Sequence, residues 1–414
     1  IGGGIAVSFE AELMGLIIQF LGHHAQQWSG FIVILVGLGL TSFSLVKAGR
    51  TLVFSHSKDT KGQIKSIYQR QHLRRGPRIV VIGGGTGLSV LLRGLKEYTS
   101  NITAIVSVAD DGGSSGRLRG QFGILPPGDL RNCLVALADT EPVMENLFNY
   151  RFNGGDGLKG HNLGNLLITA MTDMSGSFQT AINEISKVLA IRGRVLPSTL
   201  DNVILAAELA DGTIIKGESK LSKSSIPIKR VFEIPDSCEP LPEALQAIQE
   251  ADAIILGPGS LYTSVIPNLL VSGIVPAIQA AKAMKIYVCN VMTQFGETKN
   301  YTAADHLEAL YNHAAYGLVD YIIVNNQEIP DSFKDKYASE GAEAVEIDRE
   351  RLQKLEVRVI AAPLIEQGDY IRHNPHKLAS QIIRLVIGKM SFTPFAGFVD
   401  YYLLCDKISR NIKY

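Results

Sequence analysis

A glycine-rich turn near residue 85 carries residue types suited to holding a phosphate. In VVIGGGTGLSVLLRGLK (80–96), an aliphatic run is interrupted by Gly83, Gly84, Gly85, Thr86 and Gly87, and apolar residues then resume with helical spacing. A glycine turn between a strand and a helix exposes backbone N–H groups, and the start of the helix adds a partial positive charge. We therefore predict that these five residues bind an anion, with a tight turn that holds no ligand as the alternative.

Two familiar nucleotide-binding motifs do not match this turn. The dinucleotide fingerprint requires a third glycine at position 88, which is Leu88, and the Walker loop requires a Lys-Ser/Thr pair after Gly87, which is missing. An oxidoreductase is accordingly the weakest of the functions we consider, and neither NAD nor a tightly held flavin is expected.

A pair of adjacent carboxylates follows the next predicted strand. In ADDGGSSGRLR (109–119), Asp110 and Asp111 precede a Gly/Ser loop with Ser114 and Ser115, and Arg117 follows. Ligands of open α/β sheets bind at the carboxyl ends of the strands. The carboxylates are placed to hold Mg²⁺ or a hydroxyl group, and would be the catalytic residues of an enzyme, while the serines and the arginine could meet a phosphate. An ordinary Asp-Gly turn with solvated charges is the alternative.

Two further polar motifs precede predicted helices. In PPGDLRN (126–132), Asp129 is expected to cap the helix that Arg131 begins, and in GHNLGN (160–165) a helix cap is the favoured role of Asn162. As members of this motif, Asn162 and Asn165 also enter the predicted set of ligand contacts.

A second strand-to-helix corner resembles the first. In ADAIILGPGSLYTSVIPNLLV (251–271), a buried strand runs into Gly257 and Gly259, then Ser260, Tyr262 and Thr263, and then a helical pattern. Such a corner can also bind phosphate. Two corners of this kind in one sheet predict a ligand with a diphosphate.

The elements that must position these residues alternate between strands and helices. This alternation predicts a doubly wound, mostly parallel sheet. VILAAELADGTIIKG (203–217) instead shows two alternating segments around Asp211-Gly212, which indicates a small antiparallel addition. The predicted parallel strands are Arg78–Ile82, Ile102–Val108, Ala253–Leu256, Ile286–Val291 and Tyr321–Val324.

Composition limits the class of partner. The 414 residues include 40 basic and 40 acidic side chains, so there is no excess positive charge of the kind nucleic-acid binders carry. The four cysteines are widely spaced and include no Cys-x-x-Cys pair, which argues against a zinc site or a disulfide framework. The oligomeric state is left open, with a homo-oligomer among the options.

The N-terminal region has the pattern of a membrane anchor. Residues 28–46 are apolar and long enough to span a bilayer, and eight basic residues but one acidic residue follow between Lys47 and Arg75. The positive-inside rule then places the remainder in the cytoplasm, attached to the plasma membrane. We predict membrane segments in 1–46, a basic linker at 47–76, an α/β domain at 77–388 and an aromatic tail at 389–414. A buried core helix or an uncleaved signal peptide is the alternative for the apolar run.

Six motifs, in order, resemble the YvcK-type gluconeogenesis factors, which are bacterial proteins of the CofD-like family. They are GGGTGLSVLLRGLK, ADDGGSSGRLR, PPGDLRN, GHNLGN, GPGSLYTSVIPNLLV and CNVMTQFGETKNYTAADHL. The resemblance covers roughly residues 77–388. It implies a Rossmann-like domain that binds a nucleotide sugar, UDP-N-acetylglucosamine in particular, and supports cell shape and the supply of wall precursors. It also assigns sugar-nucleotide contacts to Tyr337, which could stack on a base or sugar, and to Arg372, which could pair with the diphosphate.

The same resemblance leaves two functions open. Deazaflavin transferases of this family join a phospholactyl group to their acceptor with Mg²⁺ held by acidic residues that match Asp110 and Asp111. The form ADDGGSSGRLR is that of the gluconeogenesis branch, however, and the GGGTG and DDGG loops contain no histidine to act as a general base. We therefore expect a regulatory nucleotide-sugar-binding factor, with a Mg²⁺-dependent phosphotransferase as the alternative. The membrane segment and the tail 391–414 depart from the minimal members of the family.

Overall fold

The computed structural model describes residues 73–139 and 142–389, together with the isolated positions Leu38 and Thr41. The chain divides into two units, Ile1–Arg70 and Gln71–Tyr414, and the elements given below belong to the second. The strands are β1 (Ile79–Gly83), β2 (Ile102–Val106), β3 (Arg194–Pro197), β4 (Ile204–Leu209), β5 (Ile214–Lys216), β6 (Ile228–Ile234), β7 (Ala253–Leu256), β8 (Met284–Val288), β9 (Tyr321–Asn325), β10 (Arg358–Ala362), β11 (Ile365–Gln367) and β12 (Ile371–His373).

Helices alternate with most of these strands, and one of them begins as a π-helical turn, Leu261–Val265. In chain order the α-helices are α1 (Gly85–Leu95), α2 (Gly113–Phe122), α3 (Gly128–Leu137), α4 (Pro142–Asn149), α5 (Leu163–Ser175), α6 (Phe178–Val188), α7 (Glu218–Leu221), α8 (Pro242–Glu250), α9 (Ile266–Leu270), α10 (Ile274–Ala280), α11 (Ala303–His313), α12 (Asp331–Ser339), α13 (Arg349–Lys354) and α14 (Pro375–Lys389).

A seven-stranded parallel sheet forms the centre of the domain, in the order β10-β9-β8-β7-β1-β2-β3. All six neighbouring pairs are parallel. The central strands β1, β2 and β7 are mostly aliphatic and are buried along their whole length, because helices cover both faces of a parallel sheet. The predicted α/β class and mostly parallel sheet are confirmed.

The strand order reverses between β1 and β7. The chain passes from β1 to β2 and β3 on one side, and later strands build outward from β7 on the other side. In open α/β sheets the crevice at the carboxyl ends of the strands at such a switch point is where ligands bind. The topology therefore points to the turns that follow Gly83 and Leu256.

The antiparallel addition is also present. Strands β4 and β5 form the predicted hairpin around Asp211-Gly212, and β6 pairs antiparallel with β4 on its other side. A second small hairpin, β11-β12, was not predicted from the sequence.

The predicted strands are all present, with ends that differ by up to three residues. The largest difference is at β8, which was expected to continue to Val291 and ends at Val288. The chain leaves the sheet there because Val291 and Met292 pair with another segment, through the amide of Val345 and a bridge to Ala344.

The predicted membrane segment at 28–46 lies outside the described residues, apart from Leu38 and Thr41. Within the described part, no single helix has the length and apolar character to cross a bilayer, although the bent pair Leu261–Leu270 and Ile274–Ala280 meets those two criteria jointly.

Candidate functional site

The two glycine corners lie side by side at the switch point. Their strands, β1 and β7, are hydrogen-bonded neighbours. A Cβ atom on Gly83 would sit 3.8 Å from the Gly257 Cα, and one on Gly87 would sit 2.8 Å from the Pro258 carbonyl oxygen. The contact at Gly83 is an ordinary van der Waals distance, whereas glycine at position 87 is what lets the backbones of the two corners approach so closely. Both corners face the same edge of the sheet.

A cavity of about 430 Å³ opens above the touching corners. Its floor is the first turn of α1, Gly84–Gly87, together with Pro258, Gly259 and Ser260 of the second corner. One wall is the segment 290–295, which follows β8 after the chain leaves the sheet. The other wall contains Tyr337, Glu340, Ala342 and residues 371–373 of β12. The site thus combines parts of the chain that are up to 289 residues apart in sequence, from Gly84 to His373.

Tyr337 holds one wall of this cavity in place. The side chain is 7% exposed. Its hydroxyl oxygen accepts from the Ile371 amide at 2.9 Å, and the hydroxyl lies 3.3 Å from the Ile371 carbonyl oxygen, to which it donates. Both backbone groups of Ile371, the first residue of β12, are bound in this way, so the tyrosine fixes the start of the strand that carries Arg372. Arg372 is exposed and lines the cavity. The structure brings this predicted pair together with the glycine corners.

The N-terminus of α1 already faces a carboxylate. The Asp129 Oδ2 atom accepts from the Gly85 amide at 2.6 Å. Asp129 was expected to cap its own helix, α3, but the N-cap of α3 is Pro127 and has no side-chain hydrogen bond. That expectation was wrong because the partner of Asp129 lies 44 residues earlier in the chain. Burial, followed by the neighbouring charge of Asp110, raises the pKa of Asp129 to about 6.

Replacement of Asp129 by asparagine should change the pH dependence of stability. The folded-state pKa of about 6 lies above the ordinary value of 3.8, so this group contributes stability below pH 4 that is lost as the pH rises through 6. Asparagine keeps an oxygen for the Gly85 amide without the charge. We expect Asp129→Asn to match the wild type near pH 4 and to exceed its unfolding free energy by ~2–3 kcal/mol at pH 8. Urea unfolding between these pH values measures the difference, and Asp173→Asn, at an exposed position of α5, gives the baseline. A difference that is constant with pH would contradict the assignment.

The carboxylates Asp110 and Asp111 lie beside the corners but do not line the cavity. Asp110 Oδ1 accepts from the Gly112 amide at 2.8 Å, and Asp111 Oδ1 accepts from the Ser219 amide at 2.8 Å. Burial raises the pKa of Asp110. Mg²⁺ is commonly held by one or two carboxylates, water and a substrate phosphate, and this pair could supply the protein ligands. No group of three or more His, Cys, Asp or Glu residues with the arrangement of a metal site occurs in the described ranges.

Other predicted contacts lie away from the cavity. The Ser114 hydroxyl is 3.1 Å from His161 Nδ1 and accepts from the Asn162 amide at 3.3 Å. Asn162 is the N-cap of α5, since its side chain accepts from the Asn165 amide. Neither these residues nor Ser115 and Arg117 line the cavity.

Tyr262 and Thr263, at the second corner, have internal partners. Tyr262 is 2% exposed, and its hydroxyl is 2.9 Å from that of Tyr301. The Thr263 hydroxyl donates to Glu297 Oε1 at 3.0 Å, and the Tyr262 amide donates to Glu297 Oε2 at 3.1 Å. Because Glu297 binds the start of the π-helical turn, these side chains point into the domain and not into the cavity.

Six polar cavity residues had no role assigned from the sequence: Asn290, Thr293, Gln294, Ser264, Glu340 and His373. Gln294 Nε2 donates to the Ser260 hydroxyl at 2.9 Å, which joins one wall to the floor. His373 is buried, and burial lowers its pKa to about 4, so a neutral imidazole lines the cavity. The motif CNVMTQFGETKN contains Asn290, Thr293 and Gln294, and this motif was the sequence signal from which they could have been found.

Comparison with known proteins agrees with this architecture. Residues 79–365 match the family model described as 2-phospho-L-lactate transferase CofD. The gluconeogenesis factor of Bacillus subtilis is 53% identical over 311 residues, which cover 75% of this chain and 98% of that protein. A gluconeogenesis-factor relative from Clostridium acetobutylicum is 42% identical and covers 99% of this chain and 94% of its own length. A crystal structure of a Bacillus halodurans protein superposes with a TM-score of 0.73 at 54% identity and covers 76% of this chain and 100% of that one.

The family match spans the corners, the carboxylate pair and most of the cavity wall. The two relatives align with this chain over 94% and 98% of their own lengths. This chain therefore belongs to the CofD family, among the members known as gluconeogenesis factors.

Proposed function

We propose that the protein binds a nucleotide sugar of the UDP-N-acetylglucosamine or UDP-glucose type in the cavity above the two corners. Bound ligand would shift the protein between conformations or partners, so that it acts as a regulatory factor for cell shape and wall-precursor supply. The observation that carries this proposal is the direct contact of the two glycine corners beneath one cavity whose wall holds Tyr337 and Arg372.

The chemistry of the lining suits each part of such a ligand. The amides of Thr86 and Gly87 lie in the first turn of α1, where backbone N–H groups have no intrahelical acceptor, and a diphosphate can accept from them. Arg372 can pair with the same diphosphate in bidentate fashion. Tyr337 is 7% exposed, so only a small part of its ring reaches the cavity, and this part can contact a sugar or base. A volume of about 430 Å³ falls within the usual range for small-molecule sites.

The position of the ionisable groups favours binding over catalysis. His373 is neutral and buried, and the pair Asp110 and Asp111 is outside the lining. A general base must come within hydrogen-bond reach of the proton that it removes. Glu340 lines the cavity with an exposed side chain.

The test is calorimetric titration of the full chain with UDP-N-acetylglucosamine and with UDP-glucose, each with and without Mg²⁺. Saturable binding of one molecule per chain, with ligand recovered intact after overnight incubation, is the expected result. The proposal would be wrong if neither UDP-N-acetylglucosamine nor UDP-glucose bound saturably.

The second candidate is a Mg²⁺-dependent phospho-group transferase, which is favoured by the matched family description and by the carboxylate pair. Incubation with a panel of nucleoside-diphosphate-activated donors and Mg²⁺ distinguishes the two functions. Turnover that disappears in Asp110→Asn would favour the transferase. Binding without turnover, retained in that variant, would favour the regulatory factor.

Anchoring of this domain to the cytoplasmic face of the membrane, through the predicted membrane segment at residues 28–46, stays part of the proposal.

A further inference from the structure

Three helices of this domain begin close to one another, outside the nucleotide-sugar cavity. A Cβ atom on Gly128, the first residue of α3, would collide with the hydroxyl of Ser115 in the first turn of α2. Ser114, also in that turn, accepts from the amide of Asn162, the N-cap of α5, at 3.3 Å. The N-termini of α2, α3 and α5 therefore meet, and each adds partial positive charge to the same region.

Arg131, in the first turns of α3, is buried in this region without enough acceptors. It is 8% exposed. Its Nη2 donates to Asn132 Oδ1 at 2.5 Å, while its Nε and Nη1 have no hydrogen-bond partner among the described residues. Asp129 and Asp110 are near enough to influence its charge, yet neither carboxylate is hydrogen-bonded to it. A buried guanidinium without acceptors is costly, so an acceptor from outside the chain is expected.

α5 supplies a second incomplete group and a close approach. A Cβ atom on Gly164 would be 2.8 Å from the Arg131 Cδ, so glycine there lets the arginine pack against the start of α5. The next residue, Asn165, has a buried Oδ1 atom with no donor among the described residues. The groups without partners are thus two donor nitrogens and one acceptor oxygen next to the same helix terminus.

Two exposed arginines lie at the outer side of this region. Arg151 Nη1 donates to the Gly160 carbonyl at 2.8 Å, and Arg117 Nη1 donates to the Lys159 carbonyl at 3.1 Å. Both are fixed to the loop that leads into α5. Burial and the charges of Arg117 and Arg151 lower the pKa of His161, which lies between them and Ser114. The negatively charged side chains that act on Arg131 are Asp110 and Asp129.

We propose that Arg131, with Arg117 and Arg151 at the rim, binds a compact oxyanion of the phosphate or phosphate-monoester class at a site separate from the nucleotide-sugar cavity. None of the three arginines lines that cavity. Phosphate oxygens can accept from Nε and Nη1 of Arg131, and a protonated oxygen or a hydroxyl of the ligand can donate to Asn165 Oδ1. Asp129 connects the two sites, because its carboxylate binds the Gly85 amide on one side and acts on the charge of Arg131 on the other.

This inference does not depend on the proposed function, because oxyanion binding is first measured on the full chain without any nucleotide. Inorganic phosphate and glycerol 3-phosphate are titrated separately by calorimetry, first alone and then with saturating UDP-N-acetylglucosamine. We expect one oxyanion to bind saturably per chain, and this binding to persist when the nucleotide sugar is present. Comparison of the two affinities then shows whether the site prefers free phosphate or a phosphate monoester. Failure of both ligands to bind, or their displacement by the nucleotide sugar, would overturn the inference.

Variants make the test specific to Arg131. Arg131→Met should weaken oxyanion binding by at least about tenfold, since it removes charge-assisted hydrogen bonds. Arg151→Gln should weaken it by about threefold, as expected for one exposed charge. Arg93→Met, at an exposed position of α1, should leave it unchanged. Without phosphate, Arg131→Met should melt at or above the wild-type temperature, because an unpaired buried charge is gone. A clearly lower melting temperature would mean that Arg131 has an internal partner, and would also overturn the site.

Discussion

Replacement of Gly87 by alanine is expected to weaken nucleotide-sugar binding by about a hundredfold, which is close to 3 kcal/mol. The new methyl group would sit 2.8 Å from the Pro258 carbonyl oxygen and 3.1 Å from the Gly259 Cα. Both contacts are with backbone, which cannot rotate away as a side chain can, so the second corner must shift. Overpacking of this kind costs about 1–3 kcal/mol of stability. Calorimetric titration with UDP-N-acetylglucosamine and thermal unfolding measure the two effects.

Gly120→Ala is the matched control for this experiment. Gly120 lies in α2, is exposed, and a Cβ atom there would have no heavy atom within 4 Å. Alanine in a helix is favoured over glycine by about 0.5–1 kcal/mol, so this variant should be slightly more stable and bind normally. If Gly87→Ala behaved as Gly120→Ala does, the two corners could not form the floor of the binding site.

Replacement of Arg372 by alanine is expected to weaken nucleotide-sugar binding by about 10- to 100-fold while stability changes by less than about 0.5 kcal/mol. The side chain is exposed and lines the cavity, so the folded state does not depend on it, whereas a bound diphosphate would lose a bidentate partner. Arg372→Lys keeps the charge and should recover part of the affinity. Titration at constant ionic strength measures the loss, because such contacts are screened by salt.

Arg384→Ala, at an exposed position of α14, controls for the loss of one positive charge. It should bind the nucleotide sugar as the wild type does. Equal affinities of the Arg372 and Arg384 variants would show that the ligand does not contact the β12 wall, and the proposed orientation of the diphosphate would be abandoned.

Much of the sheet could be predicted because its signals are local. An aliphatic run such as IVVIG in β1 is typical of a strand covered on both faces. At the following corner Gly85 has φ +65°, a conformation that favours glycine. The hairpin of β4 and β5 was equally readable from the turn at Asp211-Gly212. For the same reason the touching corners were anticipated as a pair, since parallel strands place their carboxyl ends at one edge.

Side-chain partners were less predictable because they depend on contacts between distant segments. Tyr262 has the same local setting as the floor residue Ser260, but the carboxylate of Glu297 fixes the turn so that this tyrosine faces inward. Asp129 resembled a local helix cap and instead reaches Gly85 in another βα unit. The hairpin β11-β12 is three residues per strand, too short for a clear alternating pattern.

The amino-acid sequence by itself determined the α/β class, the position of both glycine corners and the family, because each depends on backbone preferences or motifs within a few adjacent residues. Only the tertiary structure decided which residues share the cavity, that Asp129 faces the start of α1, and that Arg131 is buried without acceptors. Those features arise from the strand order and from packing between segments far apart in the chain, which no local pattern records.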